Sequence, residues 1–192
     1  MRKLIFIMIA AVIGLQAFSQ EDQSVDAKTA RQMAREQRKL ENEKQSKIQA
    51  AMVDSLINQR NFVIQANYLG DQTGDRVVVD NKINFILVDS SSIKIQYGSI
   101  SNGLLGYNGL GGLTTDGSIT KFEVTRLGKD KKGGYTIQMV AMTSVGIYDV
   151  VLNVSPDGNA TATIGGNTRG KLVYYGDIRP INGSRIYEGS SI

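Results

Sequence analysis

Tyr148-Asp149-Val150-Val151-Leu152-Asn153-Val154-Ser155-Pro156-Asp157-Gly158-Asn159-Ala160-Thr161-Ala162-Thr163-Ile164 is the stretch that decides the fold. Tyr148, Val150, Leu152 and Val154 stand opposite Asp149 and Asn153, and Ala160, Ala162 and Ile164 alternate with Thr161 and Thr163. A two-residue period of this kind is the mark of a strand with one buried face. Between the two runs, Ser155-Pro156-Asp157-Gly158 is a turn with a mechanism, because proline presets φ and glycine accepts the closing conformation. A connection this short joins antiparallel neighbours, since a parallel crossover needs a dozen or more residues.

The same grammar extends in both directions. Phe62, Ile64 and Ala66 alternate with Val63, Gln65 and Asn67; Ile83, Phe85 and Leu87 with Asn84 and Ile86; Ile93, Ile95 and Tyr97 with Lys94 and Gln96. Farther on, Phe122 and Val124 oppose Lys121, Glu123 and Thr125, while Tyr135, Ile137, Met139 and Ala141 oppose Thr136 and Gln138. Leu172, Tyr174 and Ile178 then share a face opposite Val173 and Tyr175. The segments between, 70–74, 89–91, 128–134 and 165–167, are short and rich in turn residues. About eight to nine antiparallel strands over 61–192 predict an all-β domain with an N-terminal helix, the sheet forming a barrel or barrel-like sandwich. Arg179-Pro180 ends the last strand, and Ile186, Tyr187 and Ile192 are expected to hold the polar tail to the body as a short closing strand.

Upstream, residues 1–19 read as a secretory signal: Arg2 and Lys3, an apolar centre from Leu4 to Leu15, and the small-x-small site Ala17-Phe18-Ser19. The apolar run is shorter than the roughly 20 residues a spanning helix needs, so no stable membrane span is expected after cleavage. The chain contains no cysteine, which leaves no site for a lipid tether and no disulfide, and makes the hydrophobic core the whole source of stability. Export to the periplasm is the expected destination.

Residues 20–60 form a polar helical leader. From Asp26 to Asn58 there is neither proline nor glycine, and alanine, glutamine, glutamate, lysine and arginine dominate. Leu40 is the single large apolar residue between Arg35 and Lys47, whereas Ile48, Met52, Val53, Leu56 and Ile57 cluster at the end. Only the last two or three turns are therefore expected to pack on the β domain.

Asn102 to Gly117 breaks the alternation. It carries six of the chain's 21 glycines, interleaved with leucines and Tyr107, so the backbone there either takes positive φ or passes close to another surface. The leucines need cover. The segment either folds back on its own domain or lines a pocket mouth. Tyr107, Asn108, Leu110 and Leu113 are the candidate ligand contacts, with Gly106, Gly109, Gly111 and Gly112 shaping the backbone.

Composition excludes much chemistry. With no histidine and no cysteine, the chain lacks the parts for ordinary zinc sites, for Ser-His-Asp and Cys-His catalysis, for haem ligation and for thiol redox. A glycine fingerprint starting at Gly109 fails at Thr114, and no helix follows it. Asp71, Asp75 and Asp80 lack the ligand pattern of a calcium loop and read as acidic turn residues. Glu123 and Asp149 fall on outward phases of different strands, unlike a pair of acids sharing a cleft. Loss of Arg2 and Lys3 lowers the formal charge from +4 to +2, and no basic stripe with interleaved aromatics points to nucleic acid. The expectation is a protein that is not an enzyme, with no cofactor and no metal.

The segments Phe62-Val63-Ile64-Gln65-Ala66, Asn84-Phe85-Ile86, Asn108-Gly109-Leu110-Gly111-Gly112-Leu113-Thr114, Gly117-Ser118-Ile119, Lys131-Lys132-Gly133, Gly158-Asn159-Ala160-Thr161-Ala162, Tyr175-Gly176 and Gly189-Ser190-Ser191-Ile192 resemble, in this order, a domain-of-unknown-function family, number 4251, of exported Bacteroidota envelope proteins. The resemblance implies an exported single β domain and carries over no catalytic residue. Given that location, Asp54-Ser55-Leu56 is similar to the Asp-Ser/Thr-apolar sites that such envelopes O-glycosylate, with Ser55 as acceptor. Together these readings lead to a periplasmic barrel-like protein that binds a small apolar or amphipathic ligand. The alternative is a structural envelope protein that meets another envelope protein through its helix.

Overall fold

The computed structural model describes residues 2–98, 112–128, 133–166 and 170–191, with side chains from Lys28 onward. The chain forms two compact units, Met1–Gln45 and Ser46–Ile192. Helix α1 spans Arg2–Gln59, so its last turns belong to the second unit. In the first unit the side chains from Lys28 to Gln45 are exposed, Met33 and Leu40 at 60% and 57% among them. Among the described residues no helix is long and apolar enough to cross a membrane.

Nine strands follow: β1 (Asn61–Gly70), β2 (Arg76–Val78), β3 (Phe85–Asp89), β4 (Ser92–Tyr97), β5 (Leu113–Arg126), β6 (Tyr135–Thr143), β7 (Gly146–Val154), β8 (Asn159–Gly166) and β9 (Lys171–Arg179). All neighbours pair antiparallel, in the order β2-β1-β3-β4-β5-β6-β7-β8-β9, and β1 also pairs with β9. Eight strands thus close into an up-and-down barrel. β2 is the extra one: it pairs with Tyr68–Gly70 of β1, while β3 takes Asn61–Gln65. Closure removes the free edges that an open sheet must otherwise protect. The turn at 155–158 forms as its residues require, with Gly158 at φ +92° and its N–H bonded to the Ser155 carbonyl oxygen.

The apolar phase of the strands points inward. Phe62, Ile64, Ile93, Ile137, Leu152, Tyr174 and Ile178 are each at most 2% exposed, and Ala66, Met139, Ala141, Val150, Ala162 and Ile164 complete the same cluster. From α1, Val53, Leu56 and Ile57 join it at 1%, 7% and 1% exposure, each contributing about 1.5–3 kcal/mol by burial. β5 shifts register between Ile119 and Lys121, and β4 pairs only as far as Ser118. The Arg60 guanidinium lies 4.4 Å over the Phe122 ring beyond that point. Arg60 also ends the helix in the left-handed conformation, φ 51°, a position usually given to glycine.

One strand reverses its expected phase. In β3, Ile86 and Val88 face the core, while Phe85 is 0% exposed on the outer wall. Phe85 pairs with Gln65 and Gln96, and Gln96 with Thr114, so a buried outer row crosses four strands. Its cover is the C-terminal tail. That tail is a single 3-10 turn, Ile181–Gly183, followed by extended chain, not a strand. Gln96 Nε2 donates to the Ile83 and Tyr187 carbonyl oxygens at 3.0 and 2.7 Å, and Gln96 Oε1 accepts from Thr114 Oγ1 and the Gly189 N–H at 2.9 and 2.8 Å. Tyr187 N–H donates to the Lys82 carbonyl oxygen at 2.8 Å, although the Tyr187 ring itself is 65% exposed. Lys94 then pairs with Glu188 and, at 3.3 Å, with Asp116.

Candidate functional site

β4 ends and β5 begins at one end of the barrel, where Tyr97 pairs with Leu113. The last turns of the helix lie at the other end, beside the turn holding Gly158, whose added Cβ would meet Gln49 Nε2 at 2.6 Å. On the inward phase of the strand ends opposite the helix stand Tyr97, Leu113 and Thr115, with Tyr148, Leu172 and Tyr174 from β7 and β9. The approach of the two strands is tight enough to demand glycine next door, since a Cβ on Gly112 would lie 2.0 Å from the Tyr97 carbonyl oxygen.

Tyr174 is fully buried and donates its hydroxyl to the Gln96 carbonyl oxygen at 3.0 Å. Burial raises its pKa far above the ordinary tyrosine value, and the neighbouring Tyr97 phenol adds to the effect. Tyr148 is shifted upward by the same two causes, in the same order. Both phenols therefore stay neutral around pH 7 and act as amphipathic rings with a polar tip. Thr115 is 1% exposed, and its Oγ1 has no hydrogen-bond partner among the described residues. Leaving a buried hydroxyl unpaired costs about 1–3 kcal/mol. Below this mouth, Phe62, Ile93, Ile137 and Leu152 fill the middle of the barrel.

Of the residues expected at the site, Leu113 is half-buried at the start of β5 and Gly112 directly precedes it. Gly106, Tyr107, Asn108, Gly109, Leu110 and Gly111 lie outside the described residues. Ser55 is exposed on α1 and accepts a hydrogen bond from Gln59 Nε2 at 3.0 Å. Its two neighbours are engaged in the fold. Leu56 is in the core, and Asp54 is bonded to Tyr135 and Arg126. Asp71 Oδ1 accepts from Thr73 N–H, Thr73 Oγ1 and Gly74 N–H at 2.8, 2.6 and 3.1 Å. The Thr73 hydroxyl and then its N–H hold the Asp71 pKa below the ordinary value, so this carboxylate organises a turn. Asp80 Oδ1 likewise accepts from Lys82 N–H at 2.9 Å. Among the described residues no three carboxylates gather as a metal site would require.

Sequence reasoning missed Thr115 and placed Tyr97 and Tyr148 only as strand residues. The signal was present in register: each lies on the inward phase within a few residues of a strand end that meets the glycine-rich segment.

No curated protein matches this chain. A crystal structure of a DUF4251 family protein from Bacteroides eggerthii DSM 20697 is similar to it, with a TM-score of 0.59 at 24% identity over 71% of this chain and 91% of that one. At that identity the likeness speaks for the fold. The family model described as Domain of unknown function (DUF4251) matches residues 43–178, from the last turns of α1 almost to the end of β9. The chain thus belongs to the DUF4251 family.

Proposed function

We propose that the mature chain is an exported periplasmic protein, not an enzyme, that holds a small apolar or amphipathic ligand at the barrel end where the glycine-rich segment joins β4 to β5. The observation that carries this reading is the Thr115 hydroxyl, buried without a partner on the inward phase that also bears Tyr97, Tyr148 and Tyr174. A lone polar atom amid aromatic and aliphatic side chains is what orients a ligand in a mostly apolar pocket. The packed middle of the barrel argues for a ligand held at the mouth and not deep in the lumen. Export is supported by the basic start, the apolar run and the Ala17-Phe18-Ser19 site of the first 19 residues. The absence of histidine and cysteine supports a binding role over catalysis.

A second reading has its own observation. Met33 and Leu40 are 60% and 57% exposed at a spacing of seven, which places them along one helix face. Such a stripe suits contact with an envelope partner. Native mass spectrometry of the protein isolated from its own envelope separates the two. A co-purifying small molecule lost in Tyr107→Ala and in Thr115→Val supports the ligand. A clean apo mass, with capture of another protein that disappears in Leu40→Glu, supports the partner.

A further inference from the structure

A groove of about 480 Å³ opens in the outer wall of the barrel, lined in part by Asn67, Tyr68, Arg76, Asn153, Tyr175 and Asp177. It is built by register. Tyr68 and Tyr175 sit directly opposite each other across β1 and β9, and both face outward because their neighbours Leu69 and Tyr174 are in the core. A bulge between Ala66 and Tyr68 leaves Asn67 outside the ladder. Its amide Nδ2 donates to Asp177 Oδ2 at 3.4 Å, and its Oδ1 accepts from Asn81 Nδ2 at 3.0 Å. The Arg76 guanidinium lies 3.7 Å over the Tyr175 ring. Among the described residues no carboxylate comes within 4 Å of it. Asn153 Oδ1 accepts from Thr136 Oγ1 at 2.8 Å, leaving its two N–H donors directed to the groove or to solvent.

We propose that this groove binds a neutral saccharide of one to three rings. Hydroxyls on adjacent ring carbons both donate and accept, and the wall offers both complements: guanidinium and amide donors on Arg76 and Asn153, carboxylate and amide acceptors on Asp177 and Asn67. The Tyr68 ring, 45% exposed, presents an apolar face to the C–H side of a sugar ring. Stacking on Tyr175 fixes the Arg76 fork, so little freedom is lost when its donors are used. Arg76 is the one cation and Asp177 the one carboxylate among the lining residues, and Asp177 also pairs with Arg179 at 3.7 Å outside that lining. Its volume falls in the range of small-molecule sites, roughly 300–1,000 Å³. The site is on the outer wall, apart from the inward phase of the mouth, and does not depend on the reading given there.

Amide NMR titration of the full chain with maltotriose, cellotriose and chitotriose, each up to about 10 mM, a range suited to the millimolar affinities of small neutral ligands, tests it. Saturable shifts are expected at Asn67, Tyr68, Asn153 and Tyr175 with at least one sugar. Arg76→Ala and Tyr68→Ala are each expected to weaken that binding at least tenfold. Tyr68→Ala, at an exposed ring, is also expected to leave the melting temperature in place. Absence of shifts at these residues with all three sugars overturns the proposal. So does binding that survives both substitutions, or a response at these amides to tripolyphosphate alone, which would mark Arg76 as an anion contact.

Discussion

Tyr135 donates its hydroxyl to Asp54 Oδ1 at 2.7 Å, tying the first residue of β6 to the last turns of α1. Arg126 completes the link: its Nη2 lies 3.2 Å from Asp54 Oδ2, and its guanidinium sits 4.9 Å over the Tyr135 ring. The helix end and the consecutive strands β5 and β6 meet on one carboxylate. Hydrogen bonds to a charged group are worth about 1.5–3 kcal/mol, reduced here because the Asp54 side chain is 33% exposed and solvent screens it. Asp54→Ala is expected to cost about 1–2 kcal/mol and Tyr135→Phe about 1 kcal/mol. Urea unfolding of the two variants and their double mutant measures both losses. If the double mutant loses the sum of the two, the residues do not act together.

The barrel is expected to need the helix end and not the segment before it. Val53, Leu56 and Ile57 are buried in the core, and the compact unit that holds the strands starts at Ser46. Ile57→Ala is expected to cost about 2–5 kcal/mol, as large-to-small changes in packed cores do. Met33→Ala should change stability by less than about 0.5 kcal/mol. Chemical denaturation of both variants compares them directly, and equal losses would rule out this division of labour.

Gln96 uses both of its side-chain heteroatoms twice, on Ile83, Tyr187, Thr114 and Gly189. Replacing it by the isosteric but apolar Met removes all four bonds at a position that is 0% exposed. A loss of about 2–4 kcal/mol is expected, because each unpaired buried group adds a desolvation penalty. The tail should loosen before the barrel does. Hydrogen exchange at Tyr187 and Gly189 is expected to accelerate in Gln96→Met while the amides of β7 and β8 stay protected. Uniform acceleration would mean that the tail is not a separate strap.

Stability should fall on the alkaline side. The Tyr174 pKa is raised above 10.0 by burial, Tyr135 is raised by burial and then by Asp54, and Tyr148 by burial. A pKa raised by folding leaves its contribution intact below the unfolded value and removes it as pH climbs toward the folded one. Partial burial opposes the charge on Lys94, but hydrogen bonds and attraction from Glu188 and Asp116 outweigh it and raise its pKa above 10.5, so its share is lost in the same direction. Melting temperature is expected to hold from pH 7 to about 9.5 and to drop beyond about 10. Tyr174→Phe should make that drop shallower. A wild-type profile that is flat to pH 11.5 would contradict the assignment.

The barrel was readable because most strands state their phase unambiguously. Tyr135, Ile137, Met139 and Ala141 alternate with Thr136, Gln138 and Val140, which are not buried, while all four are buried. β3 did not, since Phe85, Ile86, Leu87 and Val88 run apolar through both phases, the pattern of a strand covered on two sides. The second cover is the tail, about a hundred residues later in the chain, and periodicity within a window carries no information about it. The same distance hid Gln65, Gln96 and Thr114, polar by composition yet at most 6% exposed. β2 was missed because Arg76–Val78 is short and exposed on its whole length. At the mouth, the glycine-rich segment marked which strand ends to look at, while Thr115 required the register of β4 on β5 to be known.

That register makes Thr115 the position where stability and binding should part. If its hydroxyl is unpaired in the ligand-free chain, Thr115→Val removes a buried polar atom at nearly constant shape. The variant is then expected to be more stable by about 1 kcal/mol. If the same hydroxyl orients a ligand, the variant should also carry less of any co-purifying molecule, so the gain in melting temperature and the loss of bound mass should appear together. Calorimetry of delipidated protein and native mass spectrometry of the untreated protein read the two effects separately. A destabilised variant would mean that the hydroxyl already has a partner within the folded chain, and the mouth would lose the feature that favours it as a binding site.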